Sequence, residues 1–435
     1  MSGGKAGERP LLPRESIKGE DLYMATARWR KIVVGLAVFV VLLALGAYGF
    51  YVTQMPGHSK PATPPAPIAP SGDPVLDSIR RGVEFLKVHQ EADGHFSKGA
   101  LDPKPAFTAL VVDALARCPD RYNERDHPFF ARAVQAILAC RQKDGSICTP
   151  SIGMHNYCTS ISIMALKATG NPAYQEVLEK AAAYLKGIQV DPEPGNPDGG
   201  GFGYSAGSRP DMSNAAQTIE ALREMGIAEN DPVFQNAVRF MSRCQNNAET
   251  NDQPWAGTDG GFVYRPTDRE SKAGYEQGRD GKRIPKSYGL VSYAGLKAFL
   301  LAYVSKDDPR VQAAFRWVRD NWSLEENRNI GTSGLYFYYL TMAKALKAYG
   351  ERYIETSDGV RHDWPRELAE KLISLQRKDG SWANENPKWM ENDAVLVTAF
   401  AIRTLSICFE AMREQPAGSA GESRAAAAST GSGSK

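Results

Sequence analysis

Gln376-Arg-Lys-Asp-Gly-Ser-Trp382 puts a glutamine at the end of one amphipathic pattern, an Asp-Gly pair behind it and an aromatic residue ahead of the next pattern. Related stretches stand at Gln90-Glu-Ala-Asp-Gly-His-Phe96 and Gln142-Lys-Asp-Gly-Ser-Ile147, and with insertions from Gln189 to Phe202 and from Gln245 to Phe262. A period of roughly 50 residues marks a repeat architecture, in which each unit buries its apolar face only against its neighbours. Each segment has a physical reading of its own. The glycine tolerates positive φ, the aromatic offers a large face to pack between repeats, and the glutamine amide satisfies backbone groups left open where helices end.

Two helices per repeat flank these segments. Ile79, Val83, Phe85 and Leu86 show the apolar spacing of a half-buried helix, repeated at Ala133, Ile137 and Leu138 and again through Leu368, Leu372 and Leu375. The second helices (from Phe107, Tyr157, Asn214, Leu290, Leu335 and Asp393) are apolar around most of their circumference, so they belong on the inside. About six outer and six inner helices in alternation can close into a ring, which covers both end repeats without polar caps. The expectation is therefore an all-α chain with one repeat domain at 75–412, although 435 residues could hold more domains.

Ahead of that domain, residues 1–31 are polar and end in Arg28-Trp29-Arg30-Lys31, and Ile32 to Val52 then runs without a charge. That length crosses a bilayer, and the basic cluster predicts a single pass with 1–31 in the cytoplasm and the repeat domain outside it. No small-residue cleavage pattern follows, so the span reads as an uncleaved membrane anchor. Residues 53–74 carry Pro61, Pro64, Pro65, Pro67 and Pro70 and read as an extended spacer, and 413–435 as a disordered tail. A formal net charge of +2 gives no electrostatic reason for a nucleic-acid partner. The six cysteines form no C-x-x-C pair and read as buried thiols.

The glutamine, glycine and aromatic segments between paired helices resemble the QW motifs of the squalene cyclase and prenyltransferase repeat superfamily. The resemblance spans roughly Val75 to Met412 and implies an α/α toroid with inner and outer rings. It also implies an apolar cavity for isoprenoid chains, with chemistry at the inner-helix starts. Cyclisation needs a strong acid and an aromatic wall that steadies a carbocation. In the register of the family's D-x-D-D-T-A run stands Asp211-Met-Ser-Asn-Ala-Ala216, with Ser213 and Asn214 in place of two aspartates. In that of D-C-T-A stand Tyr157-Cys158-Thr159-Ser160 and Leu396-Val397-Thr398-Ala399. A phenol cannot protonate an alkene. Asp211 and Asp393 are the candidate catalytic acids that remain, with a helix-capping role for Asp393 as the competing reading.

For the other activities the resemblance implies, the pattern departs further. The D-x-C of a prenyltransferase zinc site does not occur, His155 and Cys158 make only two ligands, and no G-C-G-E-Q thioester run is present, so no metal or cofactor is expected. A glycan-processing barrel would need paired carboxylates, and none fall on matching inner-helix starts. The aromatic and polar set His155, Asn156, Tyr157, Asn214, Tyr264, Tyr288, Tyr338, Tyr339 and Trp382 is expected to line the cavity. The function expected is binding of an isoprenoid, another lipid or a peptide by a membrane-anchored toroid. The alternative is an active terpene cyclase or prenyltransferase with a rearranged acid.

Overall fold

Proline and aspartate set where the outer helices begin. Asp73, Asp231 and Asp308 each precede a proline, and each carboxylate accepts a backbone N–H two residues on, from Val75, Val233 and Arg310 at 2.9, 3.0 and 2.9 Å. Proline lacks only an N–H that has no partner in the first turn, and its φ is already helical, so Asp-Pro starts a helix efficiently. The computed structural model describes residues 70–414 apart from 98, 100, 101, 268–270, 279 and 280. The expected membrane helix at 32–52, the spacer up to residue 69 and the tail from 415 lie outside the described residues.

The outer helices are α1 (Pro74–Val88), α3 (Pro128–Ala139), α5 (Gln175–Gly187), α7 (Pro232–Arg243), α9 (Pro309–Asp320) and α11 (Trp364–Leu375). Alternating with them are α2 (Lys104–Arg117), α4 (His155–Ala168), α6 (Met212–Glu224), α8 (Gly289–Leu301), α10 (Leu335–Tyr349) and α12 (Ala394–Arg413). Helix α2 packs on α4, α4 on α6, α6 on α8, α8 on α10, α10 on α12, and α12 back on α2, so these six form a closed inner ring. Burial is continuous along them, from Gly289 to Phe299 in α8 and from Val395 to Ile402 in α12. The outer helices bury one stripe each, such as Leu178, Ala181, Ala182 and Leu185 in α5. Helix α12 is long and apolar enough to cross a membrane, but 83% of its apolar window is buried in the ring, as a core helix should be.

The recurring segment works as a staple between repeats. Gly94, Gly145, Gly200, Gly260 and Gly380 all have φ between +84° and +92°. A Cβ on each would meet a carbonyl oxygen of the next outer helix, that of Arg132, Lys180, Asn236, Ala313 and Arg81 respectively, within 2.7 Å. Only glycine admits that approach. The glutamine then joins the same two pieces. Gln90 Nε2 donates to Gly94 and Phe129 carbonyls at 3.0 and 2.8 Å, and Gln189 and Gln245 bridge in the same way. Gln376 closes the circle, donating to Gly380 and to Ser78 of α1, both at 2.9 Å. Gln142 differs, bonding the Cys140 and Cys148 carbonyls of its own loop.

The aromatic positions Phe96, Phe202, Phe262 and Trp382 are buried between repeats. Their backbone is held from the following inner helix, since the N–H groups of Phe96, Ile147, Phe262 and Trp382 donate to hydroxyls of Thr108, Thr159, Ser292 and Thr398. Thr159 and Thr398 are the threonines of the D-C-T-A register, so that position serves architecture here.

Among the described residues two short antiparallel hairpins interrupt the helical pattern, β1 (Tyr275–Gln277) with β2 (Arg283–Pro285), and β3 (Tyr353–Glu355) with β4 (Arg361–Asp363). The first lies in the long loop 246–287, which the chain pins down from within. Asn246 Nδ2 donates to the Pro285 carbonyl at 2.8 Å and the Ser287 hydroxyl at 2.9 Å, while Trp255, Ala256 and Val263 form a small core.

Candidate functional site: an aromatic cavity over a charged floor

At the end of the ring where the inner helices start, a cavity of about 160 Å³ opens. Each inner helix contributes to the wall from its first turn: Phe107, Tyr157, Ser213 with Asn214, Leu290, Phe337 and Leu396. Helical periodicity carries the same seam inward, to Ile161, Gln217 and Phe400 about one turn on. Loop residues complete the mouth. Tyr204, Tyr264 and Lys272 come from the long connections, Tyr288 from the residue before α8, and Trp389, Met390 and Glu391 from the connection before α12.

The sequence-predicted residues divide into two groups. Tyr157, Asn214, Tyr264 and Tyr288 line the cavity together. The others do not. Asn156 is buried beside it, donating to the Gly203 carbonyl at 2.7 Å and accepting from Ser160 and Thr218, so it ties α4 to α6. His155 Nε2 lies 3.3 Å from the Pro150 carbonyl, next to its own helix start. The Tyr338 and Tyr339 hydroxyls donate to the carbonyls of Ser323 and Leu324, anchoring the loop between α9 and α10. Trp382 Nε1 donates to the Leu372 carbonyl inside the staple. Asn156, Tyr338, Tyr339 and Trp382 are buried and each meets a nearby backbone carbonyl, as satisfaction of buried groups requires, while His155 is half-buried. Cys158 beside His155 is a buried thiol whose pKa burial pushes up to about 12, so it is a poor thiolate for a metal.

Both candidate acids cap helices. Asp393 accepts the backbone N–H groups of Val395 and Leu396 at 2.8 and 3.0 Å and starts α12. Asp211 starts α6 and is fully buried, accepting from Asn214 N at 3.0 Å and Asn214 Nδ2 at 2.9 Å, with the Tyr264 hydroxyl also bonded to it. Burial raises its pKa, and those donors only partly offset the rise. Neither carboxyl forms part of the cavity wall.

The carboxyl that does line the cavity is Glu391, which sequence reasoning missed. It is 1% exposed and accepts Phe337 N at 2.8 Å, Tyr336 N at 3.3 Å and Asn384 Nδ2 at 2.7 Å. It therefore supplies the cap that Gly334, the residue before α10, lacks. Burial raises its pKa against these donors. The segment holding it is strained, because Trp389 and Met390 have φ of +57° and +64° without being glycine. The indole of Trp389 lies where a Cβ on Gly334 would stand, 2.3 Å from its Cε3, so glycine at 334 makes room for the cavity wall.

Lys272 is the cation of the mouth. Its ammonium stands 3.7 Å from the Tyr264 ring centre and 4.8 Å from that of Trp389, inside an aromatic cage. Although the residue still reaches solvent, the rings around the ammonium desolvate it, and its pKa is pushed down to about 8 with Asp211 opposing the shift.

Deeper in the ring the lining turns from aromatic to charged. Asp113 and Arg117 of α2, Glu220 and Glu224 of α6, Lys297 of α8, Lys344 of α10 and Arg403 of α12 converge in two ion-paired groups. In one, Arg117 pairs with Asp113 at 2.7 Å and with Glu224, and Arg403 pairs with Asp113 at 3.3 Å. In the other, Glu220 is held between Lys344 at 2.7 Å and Lys297. Burial would raise Glu220, but the two lysines hold it well below the usual carboxylate range. This floor closes the ring beneath the cavity.

No family model matches the chain, and no curated protein matches it in sequence. Solved structures do. A family 76 glycoside hydrolase (mannosidase) from Bacteroides thetaiotaomicron VPI-5482 is similar at 11% identity with a TM-score of 0.52, over 79% of this chain and 100% of that one. An α-1,6-mannanase from Salegentibacter is similar at 11% identity and TM-score 0.50, over 78% and 98%. A type II terpene cyclase from Scytonema shares 14% identity at TM-score 0.48, over 79% and 99%. At such identities, likeness speaks to architecture alone. The described residues form an α/α toroid.

Proposed function

We propose that this protein is a membrane-anchored toroid whose aromatic cavity holds the apolar chain of an isoprenoid or another lipid without cyclising it. One observation carries the reading: the wall is aromatic and aliphatic on every inner helix except α6, and its carboxyl group, Glu391, is occupied in capping α10. An apolar, convergent pocket with few polar groups is the usual form of a small-molecule site. A peptide segment would bring backbone N–H and C=O groups that such a wall leaves unmet. A glycan would need a wider polar cleft with two free carboxylates. The test is photolabelling of the full-length protein with a diazirine-bearing polyprenol. Label on Tyr288, Phe337 or Phe400 supports the reading, and label confined to the outer helices refutes it.

The anchor is part of the same proposal. Ile32 to Val52 spans the bilayer once, with Arg28, Arg30 and Lys31 holding the N-terminus in the cytoplasm. Proteolysis of sealed vesicles reports this topology through which side of the membrane protects the toroid.

A second reading has one observation in its favour. Asp211, its pKa raised by burial, is bonded to Tyr264, and Tyr264 faces the cavity and is bonded to Tyr204. That chain is a route by which a rearranged acid could reach a substrate. Loss of a cyclised product in Asp211→Asn, with substrate binding retained, would establish it over the binding reading.

A further inference from the structure

The charged floor is uneven. Four bases (Arg117, Lys297, Lys344 and Arg403) meet three acids (Asp113, Glu220 and Glu224), which leaves one positive charge in excess among side chains that are buried (Asp113, Glu220, Lys297) or half-buried (Arg117, Glu224, Lys344, Arg403). Burial pushes Lys297 down and Glu224 up, and a proton passed from one to the other leaves that excess unchanged. An uncompensated buried charge is costly, so a net-positive floor is a place that gains from a counter-anion.

Two further observations locate where the anion would sit. Arg403 uses Nε to reach Asp113, but its Nη1 is buried without a hydrogen-bond partner. Beside it lies a small cavity of about 20 Å³, whose polar lining is Arg403, Lys344 and Lys297 with the ion-paired Asp113 and Glu220, Thr341 and Gln217, and which has room for a single small group. Gln217, Phe337 and Phe400 line both this space and the aromatic cavity above it. The two compartments therefore share a wall, with the apolar one outside and the ion-paired one, three cations against two carboxylates, inside.

We infer that the ring binds an amphiphile bearing a terminal carboxylate, its apolar chain in the aromatic cavity and its carboxylate against Arg403 Nη1 and Lys344. This rests on the binding reading above and names the class of ligand for it. A carboxylate supplies the missing negative charge, accepts from Arg403 without a proton transfer, and is small enough for the inner space. A free anion would use the same chemistry, and the test separates the two.

The experiment titrates the full-length protein in detergent with three probes by calorimetry: farnesoic acid, farnesol and sodium acetate. The acid is expected to bind at least tenfold tighter than the alcohol at pH 7. Arg403→Gln should bring that ratio to about one while leaving the affinity for farnesol unchanged, and Arg403→Lys should retain most of it. If Arg403→Gln does not fold, Lys344→Met carries the same test, because Glu220 keeps Lys297 as its partner. Equal binding of acid and alcohol by the unaltered protein overturns the inference and leaves the cavity reading standing. Binding of neither long-chain probe overturns the cavity reading itself. Acetate binding as tightly as farnesoic acid also overturns the inference, since the site would then hold a free anion to which the chain adds nothing.

Discussion

Replacing Gly380 by alanine tests the ring closure directly, because Gly380 is where the last repeat meets the first. Its φ is +87°, and a Cβ would stand 2.5 Å from the Arg81 carbonyl oxygen and 2.9 Å from its carbon. Gly359 is the control, with φ +81° and nothing within 4 Å of where a Cβ would stand. Alanine at either site meets the left-handed backbone cost of about 1–2 kcal/mol. At Gly380 the overlap with α1 backbone adds the cost of overpacking, about 1–3 kcal/mol. The same movement stretches the two 2.9 Å bonds from Gln376 to Gly380 and Ser78. The expected total is therefore roughly 2–5 kcal/mol for Gly380→Ala against about 1–2 kcal/mol for Gly359→Ala. Urea unfolding followed by tryptophan fluorescence measures the difference, and a Gly380→Ala midpoint no lower than that of Gly359→Ala would refute the staple.

Gln376→Ala should also destabilise the protein, by about 1–3 kcal/mol for each carbonyl left buried without a donor, read in the same unfolding assay. Glu391→Ala removes the carboxylate that caps α10 and should cost a comparable amount, about 1–3 kcal/mol, with greater hydrogen exchange at Tyr336 and Phe337 amides than elsewhere in α10. Asp211 has a folded pKa raised by burial, so its contribution to stability is complete below the ordinary aspartate value of about 3.9 and is lost as pH rises through the raised value. Asp211→Asn should flatten that decline in a plot of unfolding free energy against pH. Lys272, pushed down to about 8, should be the first lysine acylated at pH 8, because its free-amine fraction is about a hundredfold that of an ordinary lysine, and peptide mapping by mass spectrometry identifies the site.

The ring was legible because its signals are local and periodic. Inner and outer helices differ in how much of their circumference is apolar, and the Asp-Gly turns recur every 50 to 60 residues with one copy missing between Gly260 and Gly380, so six pairs in alternation could be read before any contact was known. One further regularity stands in the sequence, and the structure gives it meaning. Asp113, Glu220, Lys297, Lys344 and Arg403 stand six or seven residues after Phe107, Asn214, Leu290, Phe337 and Leu396, each about two turns beneath the cavity wall. A charge at matching depth in each of five apolar helices is the mark of an inward-facing ion-pair layer.

The mouth was less legible for a physical reason. Glu391, Lys272 and Trp389 reach the cavity from loops whose course depends on tertiary contacts, and Trp389 and Met390 adopt backbone angles that nothing in their chemistry announces. Tyr338 and Tyr339 were misplaced by the same limit. Both lie on an inner helix, but a residue's position around that helix decides whether its hydroxyl meets the cavity or the Ser323 to Leu324 backbone. The helix-cap role of Asp393 was visible in the sequence, as was the absence of the second and third aspartates of the cyclase run.

The central claim is that the cavity holds an apolar chain and leaves it unchanged. Incubating the purified full-length protein with a polyprenyl substrate such as squalene or geranylgeraniol, then extracting and analysing the lipid by mass spectrometry and chromatography, tests it most directly. Near-stoichiometric recovery of unaltered lipid with the protein is expected, reduced by Trp389→Ala or Tyr288→Ala. Turnover to a cyclised isomer, or no lipid retained above the detergent control, would contradict it.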